Sequence, residues 1–147
     1  MKVVELKGGL GNQLFQYAFG YSVFRQSGDK VVYNLEHYNL PLSRPFKLQE
    51  LGLQVDSVDT NELNKILIAK PNLSAKKLIL GLFKTKYNYV SETGFSSPEH
   101  FVSKENLYYD GYWQSEIYFS LFAKELIAQF RFLDNYVSND SVCVHVR

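Results

Sequence analysis

The sequence predicts an α/β fold, a Rossmann-like parallel sheet with flanking helices, and three observations carry that prediction. The chain opens with a strand, a glycine turn, a helix and a second strand in immediate succession. A later run starting at Leu107 repeats the order of strand, turn and helix. The 147 residues are 46% apolar and 16% aromatic, enough mass for the buried core that a two-layer domain needs.

Lys2-Val3-Val4-Glu5-Leu6 reads as the first strand. The turn Gly8-Gly9-Leu10-Gly11 follows, and Asn12 is suited to cap a helix running to Arg25 or Gln26. Leu14, Phe15, Tyr17, Ala18, Phe19, Tyr21, Val23 and Phe24 make that helix apolar nearly all round, which predicts burial between a sheet and another layer. Ser27-Gly28-Asp29 ends it, and Val31 to Leu35 is the second strand. Two strands joined through a helix imply parallel pairing with a right-handed crossover.

Pro41, Pro45 and Gly52 punctuate a loop-rich middle. From 63 to 91 there is no acidic residue but six lysines, Lys65, Lys70, Lys76, Lys77, Lys84 and Lys86. Ser74 to Phe83 within it has helical spacing, with Leu78, Ile79, Leu82 and Phe83 on one side. Such a face either packs on the core or lies on an anionic membrane surface. Leu107 to Trp113 reads as a strand running into a turn. Ser115 then caps a helix to about Phe132, with Glu116 in its first turn and Tyr118, Leu121, Phe122, Leu126 and Phe130 facing the core. Asp134 to Asp140 is a polar connector, and Ser141 to Arg147 reads as a buried strand.

Composition excludes several function classes. Net charge is +1, which gives no general case for nucleic acid. The single cysteine, Cys143, lies in an apolar run, so neither a disulfide framework nor a thiolate metal site is implied. No signal-peptide pattern and no apolar stretch of about 20 residues is present, so the expected location is cytoplasmic.

The turn Gly8-Gly9-Leu10-Gly11-Asn12-Gln13 sits between a strand and a helix amino terminus, where unpaired N–H groups and the helix dipole favour an anion such as a diphosphate. It does not fit the dinucleotide fingerprint. Leu14 stands at the third glycine position, Asn34 is neutral where an acid is expected, and Glu36 is only a loose substitute. The rival reading is a tight turn with no ligand.

Gly8 to Ala18 closely resembles the amino-terminal signature of bacterial α-1,2-fucosyltransferases, glycosyltransferase family 11. Asp110-Gly111-Tyr112-Trp113-Gln114-Ser115-Glu116-Ile117-Tyr118-Phe119 resembles a second block of that family, and Val144-His145-Val146-Arg147 the start of its donor motif. The resemblance spans the chain in family order. It implies a GT-B-like enzyme transferring L-fucose from GDP-fucose to the 2-hydroxyl of a galactose-type acceptor, with inversion and without a metal.

The same resemblance implies donor contacts from Gly9, Gly11, Asn12, Gln13, His145 and Arg147, with Arg147 serving catalysis by neutralising the departing diphosphate. It points to Asp110, Tyr112, Trp113 and Gln114 as acceptor-side candidates, Asp110 also being the weak candidate for a general base. Independently, the sequence holds no Asp-x-Asp pair and no ligand-spaced His/Cys cluster, so no metal and no cofactor beyond the GDP-fucose donor are expected. His145 also reads as a satisfied core histidine, Tyr112 and Trp113 as core aromatics, and Glu116 as a helix-dipole residue.

By resemblance the chain divides into a Rossmann-like acceptor-side domain, 1–135, and a connector with the first strand of a donor-binding domain, 136–147. Because the donor motif is present only to Arg147, the expectation is no transferase activity from these 147 residues and at most weak GDP affinity. The alternative is a non-catalytic carbohydrate-binding or interaction module. The lysine-rich segment makes a lipid-linked acceptor, and peripheral contact with the inner membrane face, a further expectation.

Overall fold

Alternation within the strands decides how the sheet is covered. In the computed structural model, which describes residues 1–59, 61–63, 88–92 and 106–130, the first strand β1 is Lys2–Glu5 and β2 is Val31–Asn34. β3 is Asn88–Ser91 and β4 is Leu107–Asp110. All pair in parallel in the order β2-β1-β4-β3, with Val3 opposite both Val32 and Tyr108. Val4, Leu6, Tyr33, Leu107 and Tyr109 turn to one face and pack with Tyr17, Ala18, Phe19 and Val23. Val3, Val32 and Tyr108 form a cluster of their own with Tyr89 and Val58. The central strands are thus buried on both faces, as parallel strands usually are. An α/β architecture with a parallel sheet and flanking helices is what the described residues show.

Helix α1, Leu10–Ser27, lies on the first of these faces. It comes close at Gly20, where an added Cβ would stand 2.5 Å from the Tyr33 hydroxyl. Only glycine allows that approach. The helix starts three residues earlier than the sequence suggested, with Gly9 and not Asn12 at the N-cap. Gly9 has no side chain to cap with, and the Asn12 side chain bonds Gln114 instead. Nor is the helix buried all round: Leu10, Phe15 and Phe24 are exposed.

The continuous helix expected from Ser115 to about Phe132 is replaced by two 3-10 turns, Glu116–Tyr118 and Ser120–Phe122, and a short helix α2, Ala123–Phe130. Ser115 makes no side-chain cap, and Phe119 leaves the helical region at φ −144°. That break lets Tyr118 bury against Phe19 and Trp113 while Phe119 reaches Phe15. Leu121, expected in the core, is 77% exposed as a result, whereas Leu126 is buried as expected. β3 had no counterpart in the sequence reading. The helix expected over 74–83 and the strand over 141–147 lie outside the described residues, as does the domain boundary at 136. Among the described residues no helix is long and apolar enough to cross a membrane.

Candidate functional site

The carboxyl ends of parallel strands are where open α/β sheets bind ligands, and here the central pair β1 and β4 ends in charge. β1 runs out through Glu5 and Lys7, β4 through Asp110. The Lys7 ammonium bonds the Asp110 carboxylate, lies 3.9 Å from Glu5, and sits 5.2 Å from the centre of the Tyr112 ring. From the edge strand, the Tyr89 hydroxyl donates to the other Asp110 oxygen. Lys7, Glu5 and Asp110 are all mostly buried but still reach the surface.

These neighbours set the protonation states. Burial pushes the Asp110 carboxyl up, but its hydrogen bonds with Glu5, Lys7 and Tyr89 outweigh that and bring it down to about 2. Burial works against the charged Lys7, yet the Asp110 bond and the Glu5 charge leave it raised. Tyr89 is raised by burial and by the adjacent carboxylate. Asp110 is therefore an anion at neutral pH and a feeble proton acceptor. That argues against it as a general base and suits it to orienting a hydroxyl or holding a cation.

Three polar residues of α1 organise the loops around this edge. The Gln16 carbonyl oxygen accepts from the Lys7 N–H at 2.9 Å and its amide donates to the Gly111 carbonyl at 3.2 Å. Gln13 donates to the carbonyls of Gly8 and Pro45 and accepts from the Lys47 N–H. Asn12 accepts from the Gln114 amide at 2.6 Å. Gln13 and Gln16 are fully buried. With all its principal bonding capacity spent on backbone, Gln13 acts as a clamp, not as the donor contact the resemblance implied. Gly8 has φ +82°, and a Cβ there would meet the Asn12 amide at 2.4 Å. At Gly9 and Gly11 an added Cβ meets nothing within 4 Å among the described residues.

The loop after β4 is held in a strained form. Trp113 has φ +54°, and the N–H groups of Tyr112 and Trp113 both donate to Glu92, at 2.8 and 2.9 Å. The strain sends the two aromatics opposite ways. Trp113 is completely buried, its ring stacked at 4.0 Å on Phe19, so of its two readings, acceptor-side contact and core aromatic, it takes the second. Tyr112 is 44% exposed above Lys7. Of the predicted residues, then, Gly9, Asn12, Asp110, Tyr112 and Gln114 gather at this edge, Gln13 and Trp113 support it from within, and Gly11 borders an apolar groove with Leu14, Phe15 and Phe119. His145 and Arg147 lie outside the described residues.

Sequence reasoning missed Glu5, Lys7, Tyr89, Glu92 and Gln16. Glu5 and Lys7, two apart at the end of an apolar strand, were a readable signal of one polar side. Tyr89 and Glu92 gave none. Among the described residues no group of three His, Cys, Asp or Glu side chains is arranged to hold a metal. A cavity of about 590 Å³ lined by Tyr21, Phe24, Lys30, Tyr33, Asp56 and Gln129 sits at the other end of α1, away from this chemistry. No family model, curated protein or solved structure matches the chain.

Proposed function

We propose that the chain supplies the acceptor side of a GDP-fucose-dependent α-1,2-fucosyltransferase with a GT-B-like architecture. One observation carries the reading. The two resembling blocks, Gly8 to Ala18 and Asp110 to Phe119, are about a hundred residues apart, yet they meet through Asn12–Gln114, Gln16–Gly111 and the Phe15–Phe119 ring contact. Blocks that share one surface are what a single binding site requires.

In this reading the exposed Tyr112 ring stacks on the apolar face of a galactose-type sugar. Asp110 and Lys7 bond its hydroxyls, and Asn12 with Gln114 borders the open glycines. Donor diphosphate falls to Arg147 and guanine to His145. Negative charge building on the leaving GDP would then meet a permanent cation.

The test is calorimetric, titrating the chain separately with lactose and with GDP. Lactose binding weakened about tenfold in Asp110→Asn is expected, since a charge-assisted hydrogen bond is lost. GDP binding that disappears in Arg147→Ala supports the donor assignment. Lactose binding that ignores Asp110→Asn removes the acceptor site. Binding of lactose with no response to GDP at all favours a non-catalytic carbohydrate-binding module.

A further inference from the structure

Beside the glycine turn, the segment 40–44 combines two features that ordinary surface loops avoid. After the 3-10 turn Glu36–Asn39, the Ser43 N–H donates to the Leu40 carbonyl at 3.2 Å and closes a four-residue turn. Pro41 is its second residue, where a fixed φ is favoured, and Leu42 its third, at φ +66°. A turn of that pattern calls for glycine or asparagine at the third position. This one carries a leucine whose side chain is wholly exposed, at 104%, beside Leu40 at 57%. Exposure of a single leucine is unremarkable on any surface. Exposure at the cost of a left-handed backbone is not, because the Leu42 side chain packs on none of the described residues.

The base of the tip is firm. The Tyr38 and Phe46 rings meet at 5.4 Å, the Ser43 hydroxyl donates to the Tyr38 carbonyl, and Gln13 grips both Pro45 and Lys47. The apex therefore projects from a fixed support tied to the first turn of α1. Arg44 is exposed at its side and, among the described residues, has no ion-pair partner, whereas Lys47 is paired with Glu50.

We propose that Leu40 to Arg44 is a membrane-docking tip, which inserts Leu40 and Leu42 into an anionic lipid surface and sets Arg44 among the headgroup phosphates. Charge decides the occupant. The guanidinium of Arg44 beside the apex, exposed and without an ion-pair partner among the described residues, complements a negative bilayer. The tip reads a lipid surface whatever the strand-end site binds, so this inference does not depend on the fucosyltransferase reading. It adds a described loop beside the glycine turn to the membrane contact expected at 74–83, which lies outside the described residues.

Flotation with vesicles of phosphatidylcholine alone and of phosphatidylcholine with phosphatidylglycerol tests it. The parent floats with the anionic vesicles, the double variant Leu40→Ser/Leu42→Ser loses about tenfold or more of that partition, and Arg44→Ala loses about fivefold. Leu42→Asn, which suits the left-handed backbone, melts no lower than the parent yet floats less, which separates docking from folding. Three results overturn the proposal: no flotation of the parent, equal flotation of the double variant, or equal binding of the parent to neutral vesicles. A parent dimer in size-exclusion chromatography that the double variant abolishes, without flotation, overturns it in favour of a second copy of the chain.

Discussion

The two stretches that meet at the strand ends are built in opposite ways. In the glycine turn and the start of α1, the side chains that look made for a ligand are spent on backbone. Gln13 and Gln16 are buried and bonded, while Gly9 and Gly11 stay open beside the exposed Leu10. In the loop after β4, the backbone is strained and one aromatic is sacrificed to the core so that another can face outward. The comparison teaches that a shared motif divides its labour. The first stretch holds three loops in register, and the second presents an exposed ring beside a charged cluster.

The largest effect that sharpens this contrast is expected at Trp113. Removing a fully buried ring stacked on Phe19, as in Trp113→Ala, should lower unfolding free energy by about 3–5 kcal/mol in urea titrations. Its exposed neighbour should behave otherwise, with Tyr112→Ala within about 0.5 kcal/mol of the parent. Equal losses at the two positions would remove the division between core and surface aromatic.

Next comes the clamp. Gln16→Leu strands the Lys7 N–H and the Gly111 carbonyl away from water, at a cost of about 2–3 kcal/mol. If Gln16→Leu proves as stable as the parent, α1 does not tie the two stretches together.

The pH dependence of stability probes the charged cluster between them. Asp110 is held at about 2 in the folded chain against an ordinary value of 3.8. A lowered folded value means the folded state binds protons less readily than the unfolded chain. The contribution is thus complete above about 4 and is lost as pH falls toward about 2. Urea titrations across that window should show a decline that is shallower in Asp110→Asn; an identical decline would mean Asp110 is not the group responsible.

The smallest effect separates two adjacent glycines. Gly8→Ala, at φ +82° and against Asn12, should destabilise by about 1–2 kcal/mol. Gly9→Ala, with open space, should change stability by less than about 0.5 kcal/mol. Thermal melts of the two variants resolve the difference.

These contrasts also mark what the sequence could tell. β1, α1 and β2 were legible because Val3, Val4, Val31 and Val32 repeat apolar character in short runs around a glycine turn, a local pattern. β3 was not, because Asn88-Tyr89-Val90-Ser91 is a short, half-exposed edge strand whose pairing partner, Leu107–Asp110, is distant in sequence. The second helix was overextended because helical spacing from Tyr118 to Phe130 fits one helix as well as two turns and a helix. Only tertiary packing of Phe119 on Phe15 decides between them. At the site, glycines and polar residues were found, but their roles were not. Whether a glutamine faces a ligand or a carbonyl thirty residues away is settled by long-range contacts such as Gln13 to Pro45.

The most direct test of the division of labour is the lactose affinity of Tyr112→Ala, measured beside its unfolding free energy. The account predicts affinity reduced about tenfold with stability within about 0.5 kcal/mol of the parent. Unchanged lactose affinity in a folded Tyr112→Ala chain would contradict it.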